Sequence, residues 1–188
     1  MTGDKNIKLS KEEKLMISNL QSGKVALIAE TLREIKESGS VVIIPYLFEV
    51  IASNRVPQLL DEILRLISDI KKTEAVSYIV DSIKKYDFGD RTARIVASCW
   101  QSRLDFSSYL PVFAGLFFQQ DYQLSIEAFT VIEESLHNAS VAEKNECLKI
   151  LDKKVASVSD ELSPLYNELR KVVRLSLEMT IDNPKNTS

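Results

Sequence analysis

The stretch that decides the fold is Leu32-Arg-Glu-Ile35, a break at Ser38-Gly39-Ser40, and then Ile44-Pro-Tyr-Leu-Phe-Glu-Val-Ile51. Moved along the chain by 32 positions, it returns as Leu64-Arg-Leu-Ile67 followed by Val76-Ser-Tyr-Ile-Val-Asp-Ser-Ile83. The same shift carries Leu27 onto Leu59, Glu30 onto Glu62 and Arg33 onto Arg65, while Ile44/Val76 and Leu47/Ile79 exchange one aliphatic side chain for another. Val25, Ile28, Leu32 and Ile35 recur at the spacing of a helix with one buried stripe. Gly39 suits the left-handed cap that ends such a helix, and Pro45 is acceptable in the first turn of the next. Two helices recurring at a fixed period make an internal repeat rather than a run of unrelated amphipathic helices.

Outward from this core the pattern continues with less regularity. Ser108-Tyr109-Leu110 lies 31 residues beyond Ser77-Tyr78-Ile79, behind a helix expected over 91–103 and a break at Asp87-Phe-Gly-Asp90 with Gly89 as its hinge residue. A fourth pair of helices, over 122–137 and 140–156 with Asn138-Ala-Ser140 between them, keeps the helical period and loses the Tyr-Leu signature. Upstream, Ser10-Lys-Glu-Glu13 reads as a capping box, opening a short helix with Leu15, Met16 and Leu20 on one side. Downstream, a helix over 160–179 has Leu162, Leu165, Leu169, Val172, Val173 and Leu177 for its buried side. The polar, Pro-containing end over 183–188 is expected to be a flexible tail.

Composition excludes several alternatives. Of 188 residues only 5 are Gly and 5 Pro, where ordinary usage would put the two together at about 12%; a turn-rich sandwich or barrel needs more. The 45% hydrophobic content is enough for a core. With 24 Lys plus Arg against 27 Asp plus Glu the net charge is −3, which supplies no long-range attraction to nucleic acid or an anionic membrane. No run approaches the ~18 apolar residues that span a bilayer, and the polar N-terminal stretch has no apolar core of a secretory signal. Cys99 and Cys147 sit in apolar helical patterns and read as small buried hydrophobes, in keeping with a reducing, cytoplasmic setting. The pairs Lys71-Lys72, Lys84-Lys85 and Lys153-Lys154 fall near helix ends, where cations offset the negative end of the macrodipole.

The repeated Leu-Arg-Glu-Ile … Ile-Pro-Tyr-Leu-Phe-Glu-Val-Ile unit resembles HEAT-like repeats of the armadillo type, most closely over 23–86 and less so over 88–120 and 121–157. The period of 31 to 34 is shorter than the about 40–47 of long HEAT units. Tetratricopeptide repeats are the rival at a similar period, and their Trp, Gly and Tyr landmarks do not recur. The resemblance implies an all-α, right-handed α-α superhelix of about four stacked helix pairs in one domain over 1–182. Its parts would be a cap at 10–21, repeats at about 23–54, 55–87, 88–120 and 121–157, and a C-terminal cap helix at 160–180.

In that architecture the second helices line a concave binding face. Three carry Tyr at nearly one phase, Tyr46, Tyr78 and Tyr109, with Glu49, Asp81 and Val112 three residues later on the same side. A tyrosine ladder with carboxylates beside it suits a peptide or helix gripped through aromatic contacts; packing at repeat interfaces is the other reading of these side chains. Glu30 with Arg33 and Glu62 with Arg65 have i, i+3 spacing for surface ion pairs. Phe106, Tyr109, Phe113 and Phe117 fit one stripe; Phe117 and Phe118 cannot both face one direction, so one of them is expected to be exposed or to meet a partner subunit. His137, at a helix end beside Glu133 and Glu134, has no second His or Cys placed to complete a metal set. No phosphate loop, nucleophile elbow or zincin helix occurs.

The sequence therefore suggests a non-catalytic scaffold that binds a protein segment, monomeric or weakly dimeric, with no catalytic, metal or cofactor residue. An accessory subunit of a small-molecule-modifying enzyme is the alternative. A HEAT-like nucleic-acid binder would need a basic face where this chain carries Tyr, Glu and Asp.

Overall fold

Capping residues set where the first helix begins. The Glu13 amide donates to Ser10 Oγ at 3.0 Å and the Ser10 amide donates to Glu13 Oε2 at 2.8 Å, closing the expected box. The same device recurs at Ser140 and Glu143, at 3.3 and 2.7 Å. Both glutamates are held below the usual carboxylate range, chiefly by the backbone N–H of their capping serine. The computed structural model describes residues 9–119 and 121–182. Among them the chain is all-α, with ten helices and no strand. These are α1 (Lys11–Gln21), α2 (Val25–Ser38), α3 (Ile44–Ser53), α4 (Leu60–Ser68), α5 (Ala75–Lys85), α6 (Thr92–Ser102), α7 (Leu110–Leu116), α8 (Tyr122–Ser135), α9 (Val141–Lys153) and α10 (Ser163–Asp182). The tail over 183–188 lies outside the described residues. No helix among them is long and apolar enough to cross a membrane.

Helices two apart along the chain lie against each other. On one side α1 contacts α3, α3 contacts α5, and α7 contacts α9; on the other, α2, α4, α6, α8 and α10 touch in succession. Consecutive helices meet most closely as α1/α2, α3/α4, α7/α8 and α9/α10. The core runs through the stack: Ile28, Phe48, Ile67, Ile79, Ile95, Phe113, Ile132, Leu151 and Leu169 are all buried. Gly39 ends α2 at φ 60°, the left-handed cap expected of it.

Polar contacts repeat at the same interval as the sequence. Lys36 Nζ meets Asp69 Oδ2 at 2.9 Å, Ser68 Oγ donates to Gln101 Oε1 at 3.3 Å, and Arg94 pairs with Asp61, each 33 residues apart. The expected pairs Glu30–Arg33 and Glu62–Arg65 do not form among the described residues. The ion pairs between neighbouring helices are made by other residues, Lys36 with Asp69 and Arg94 with Asp61. Lys71 and Lys72 act similarly. Lys72 Nζ donates to the Gly39 carbonyl at the end of α2 (2.6 Å), and Lys71 Nζ donates both to the Ser68 carbonyl at the end of the preceding helix, α4 (3.4 Å), and to the Ser102 carbonyl at the end of α6 (2.7 Å). Arg91 likewise donates to the Ile51 carbonyl (2.7 Å) and Asn54 Oδ1 (2.9 Å) at the end of α3. Each cation satisfies carbonyls that a helix end leaves without intrahelical partners.

Three side chains depart from expectation. Leu15 is 60% exposed and Ile17 is buried in its place, because α1 turns its stripe of Met16, Ile17 and Leu20 toward α2 and α3. Val25 is also exposed, and Thr31 completes the buried side of α2. Phe118 is covered by its own chain: its ring lies 6.2 Å from Tyr166 of α10, with Lys154 Nζ 5.3 Å from its centroid.

Lys144 of α9 is 2% exposed. Its ammonium donates to Thr180 Oγ1 at 2.6 Å and the Ser176 carbonyl at 3.3 Å on α10, and burial lowers its pKa.

Two outcomes follow for stability. Arg91→Met removes two hydrogen bonds made by a charged side chain, to the partly buried Ile51 carbonyl and to Asn54 Oδ1, and costs about 1–3 kcal/mol, whereas Arg94→Met, losing an exposed pair, costs under about 1 kcal/mol; urea denaturation of both variants separates them. For Lys144 the folded state binds fewer protons than the unfolded state in the window below pH 10.5. Unfolding free energy should therefore climb with pH there in the wild type relative to Lys144→Met, as melts of both proteins over that range would record.

Candidate functional site

The residues expected to form a binding face lie on or beside α3, α5 and α7. Tyr46 and Glu49 are half-buried on α3; Tyr78 is half-buried and Asp81 exposed on α5. All three tyrosines pack against the apolar core with part of the ring while the remainder reaches the surface. The packing role and the exposed role therefore coexist in one side chain, as the amphipathic phenol allows.

Because α3 and α5 lie against each other, Tyr46 and Glu49 belong to the same surface as Tyr78 and Asp81. Tyr109 and Val112 are set apart from it. Tyr109 ends a short 3-10 turn, Ser107–Tyr109, ahead of α7, and Val112 is half-buried on α7. That helix packs on α8 and α9 and has no comparable contact with α5. The ladder expected of three equivalent tyrosines is thus two adjacent rungs and a separate third. Pro111 in the first turn of α7 and the turn before it carry Tyr109 out of helical phase.

Lys85 and Tyr86, which the repeat pattern does not single out, join the first two rungs. Lys85 Nζ sits 4.7 Å from the centre of the Tyr86 ring, a cation–π distance. Its pKa is raised, first by the Tyr86 side chain and to a lesser degree by Glu49 and Tyr46. Asp81 Oδ1 receives Lys84 Nζ at 3.4 Å, with both side chains more than half exposed. The only sequence signal for Lys85 and Tyr86 is the Lys84-Lys85-Tyr86 run, which the macrodipole explains equally well. Tyr86 also stands edge-on to Phe88 at 6.0 Å, and Phe88 to Phe48 at 5.9 Å, so the patch is anchored to the core of α3.

Chemically, this surface offers three phenols, two carboxylates and two ammonium groups on neighbouring helices. It has hydrogen-bond donors, acceptors and aromatic area, and no nucleophile–base pair. The two cysteines are elsewhere and buried; burial drives the Cys147 thiol up to about 12 and Cys99 higher still, so neither is a ready thiolate. No group of three or more His, Cys, Asp or Glu among the described residues is placed to hold a metal.

His137 is exposed at the mouth of a separate cleft of about 620 Å³ between the ends of α6 and α8. Trp100, Arg103, Asp105 and Glu134 share that lining. Trp100 Nε1 donates to Glu127 Oε2 at 2.8 Å, so its polar edge is already engaged.

Comparison with family models, with curated proteins and with solved structures finds no match to this chain.

Proposed function

We propose that this chain is a short HEAT-like helical solenoid acting as a non-catalytic scaffold, and that it binds a segment of a partner protein across α3 and α5. The carrying observation is the surface of Tyr46, Glu49, Tyr78, Asp81, Lys85 and Tyr86, where half-buried phenols stand beside charges of both signs. Anchored aromatic rings lose little side-chain freedom on binding, which is why Tyr is enriched where interfaces gain energy. The solenoid reading is supported by contacts between helices two apart and by polar bonds spaced at 33 residues. A stack of this kind keeps its neighbouring helices fixed, so a partner meets a preformed surface. Tyr109 and Val112 extend the interface only for a segment long enough to pass beyond α5.

Co-purification of the tagged chain from its native host tests this. The wild type should recover a protein that Tyr46→Ala/Tyr78→Ala loses by about tenfold or more, as loss of two aromatic anchors implies. Asp81→Lys, an exposed change, should weaken recovery without lowering the melting temperature. Full recovery with both variants would overturn the assignment.

A further inference from the structure

A groove of about 300 Å³ lies on the edge of the stack, where the ends of α2 and α4 face each other. Its walls are apolar: Ile35, Ile44, Leu47, Leu66 and Ile70. Its rim is cationic, with Lys36, Lys71 and Lys72 against the single carboxylate of Asp69. The three ammonium groups are held in place by the chain itself, on Asp69 Oδ2 at 2.9 Å and on the Ser102 and Gly39 carbonyls at 2.7 and 2.6 Å. All three lysines remain exposed. The cost of ordering them is therefore met in the folded state, and the positive field at the mouth is fixed in position.

This charge is particular to one junction. The 32-residue shift of the repeat carries Lys71 and Lys72 onto Arg103 and Leu104, so one of the two cations is lost, and Asp105 follows directly. The corresponding cleft between α6 and α8 accordingly sets Asp105 and Glu134 against Arg103. Two clefts on equivalent helix ends thus differ in sign, and of the two the α2/α4 groove combines an apolar floor with excess positive charge. Its volume is at the low end for ligand pockets, room for one or two side chains rather than a cofactor.

We propose that this groove docks an acidic segment of a partner protein. One apolar side chain of leucine or phenylalanine size would seat among Ile35, Ile44, Leu47, Leu66 and Ile70, and flanking carboxylates would meet Lys36, Lys71 and Lys72. Charge complementarity selects the occupant. The inference rests on the protein-binding reading for the class of partner and uses a different surface from the tyrosines, so either can fail alone.

The test is a titration of the full ¹⁵N-labelled chain with a synthetic peptide carrying one leucine between pairs of glutamates. Amide shifts should concentrate at Gly39, Ser40, Val41 and Ile70. They should vanish when the peptide's leucine is glycine or its glutamates are lysines, and Lys36→Gln should weaken binding about threefold, as befits one exposed ion pair. Shifts centred on Tyr46 and Tyr78 would overturn the groove while leaving the tyrosine face standing. No shift at millimolar peptide, or equal binding by the lysine peptide, would overturn it outright. Decanoate shifting the same amides where the peptide does not would replace the protein segment with a fatty-acid-like carboxylate and overturn the assignment of partner.

Discussion

The central helices of this protein cover their apolar stripes against helices two positions away, α4 on α2 and α6, and α6 on α4 and α8. α4 shows the constraint clearly: Ile63, Leu64, Leu66 and Ile67 are all buried on a helix of nine residues. Its flanks are supplied by α2 on one side and α6 on the other. Burying such a side chain is worth about 1.5–3 kcal/mol, so the stripe outweighs any surface ion pair on the same helix. Stacking is therefore the dominant stabilising term, and sequence repetition is its consequence. A unit that must meet a copy of itself needs the same apolar positions in each copy.

The polar contacts do a different job. Pairs such as Lys36–Asp69 and Arg94–Asp61 are exposed and individually weak, yet each bridges 33 residues and favours one register of helix against helix. Lys71, Lys72 and Arg91 go further by satisfying carbonyls at the ends of α6, α2 and α3. Orphan carbonyls at a helix terminus are usually met by water or by a local turn. Here cations from other helices meet them, Arg91 where α3 ends, and Lys71 and Lys72 at the edge where α2 and α6 end. That edge acquires a positive rim at α2/α4 as a by-product, whereas the surface of α3 and α5 is left to Tyr, Glu, Asp and Lys side chains.

Much of this was legible in the residues. The identity of Leu32-Arg33 with Leu64-Arg65 and of Tyr46 with Tyr78 revealed the repeat, and Ser10-x-x-Glu13 marked the start of the first helix. Ser140-x-x-Glu143 carries the same mark. What sequence could not supply was anything that depends on which helix lies against which. Glu30 and Arg33 have good spacing within one helix, but only stacking brings Lys36 to Asp69. Phe118 packs on Tyr166, which lies far along the chain on α10, so its neighbour is not legible from the local pattern. Tyr109 shares the phase of Tyr46 and Tyr78 on paper, while the turn before Pro111 removes it from their helical frame. Lys85 and Tyr86 were hidden for the opposite reason, since a macrodipole accounts for a lysine at a helix end without reference to Glu49.

The functional account depends on whether the α3/α5 surface meets another protein in the cell. Placing the photo-crosslinking residue p-benzoylphenylalanine at position 78 in the native host, with position 175 on exposed α10 as control, measures this directly. The account predicts a discrete protein adduct from position 78 upon irradiation, identifiable by mass spectrometry, and none from position 175. Adducts from position 175 alone, or from neither position, would contradict it.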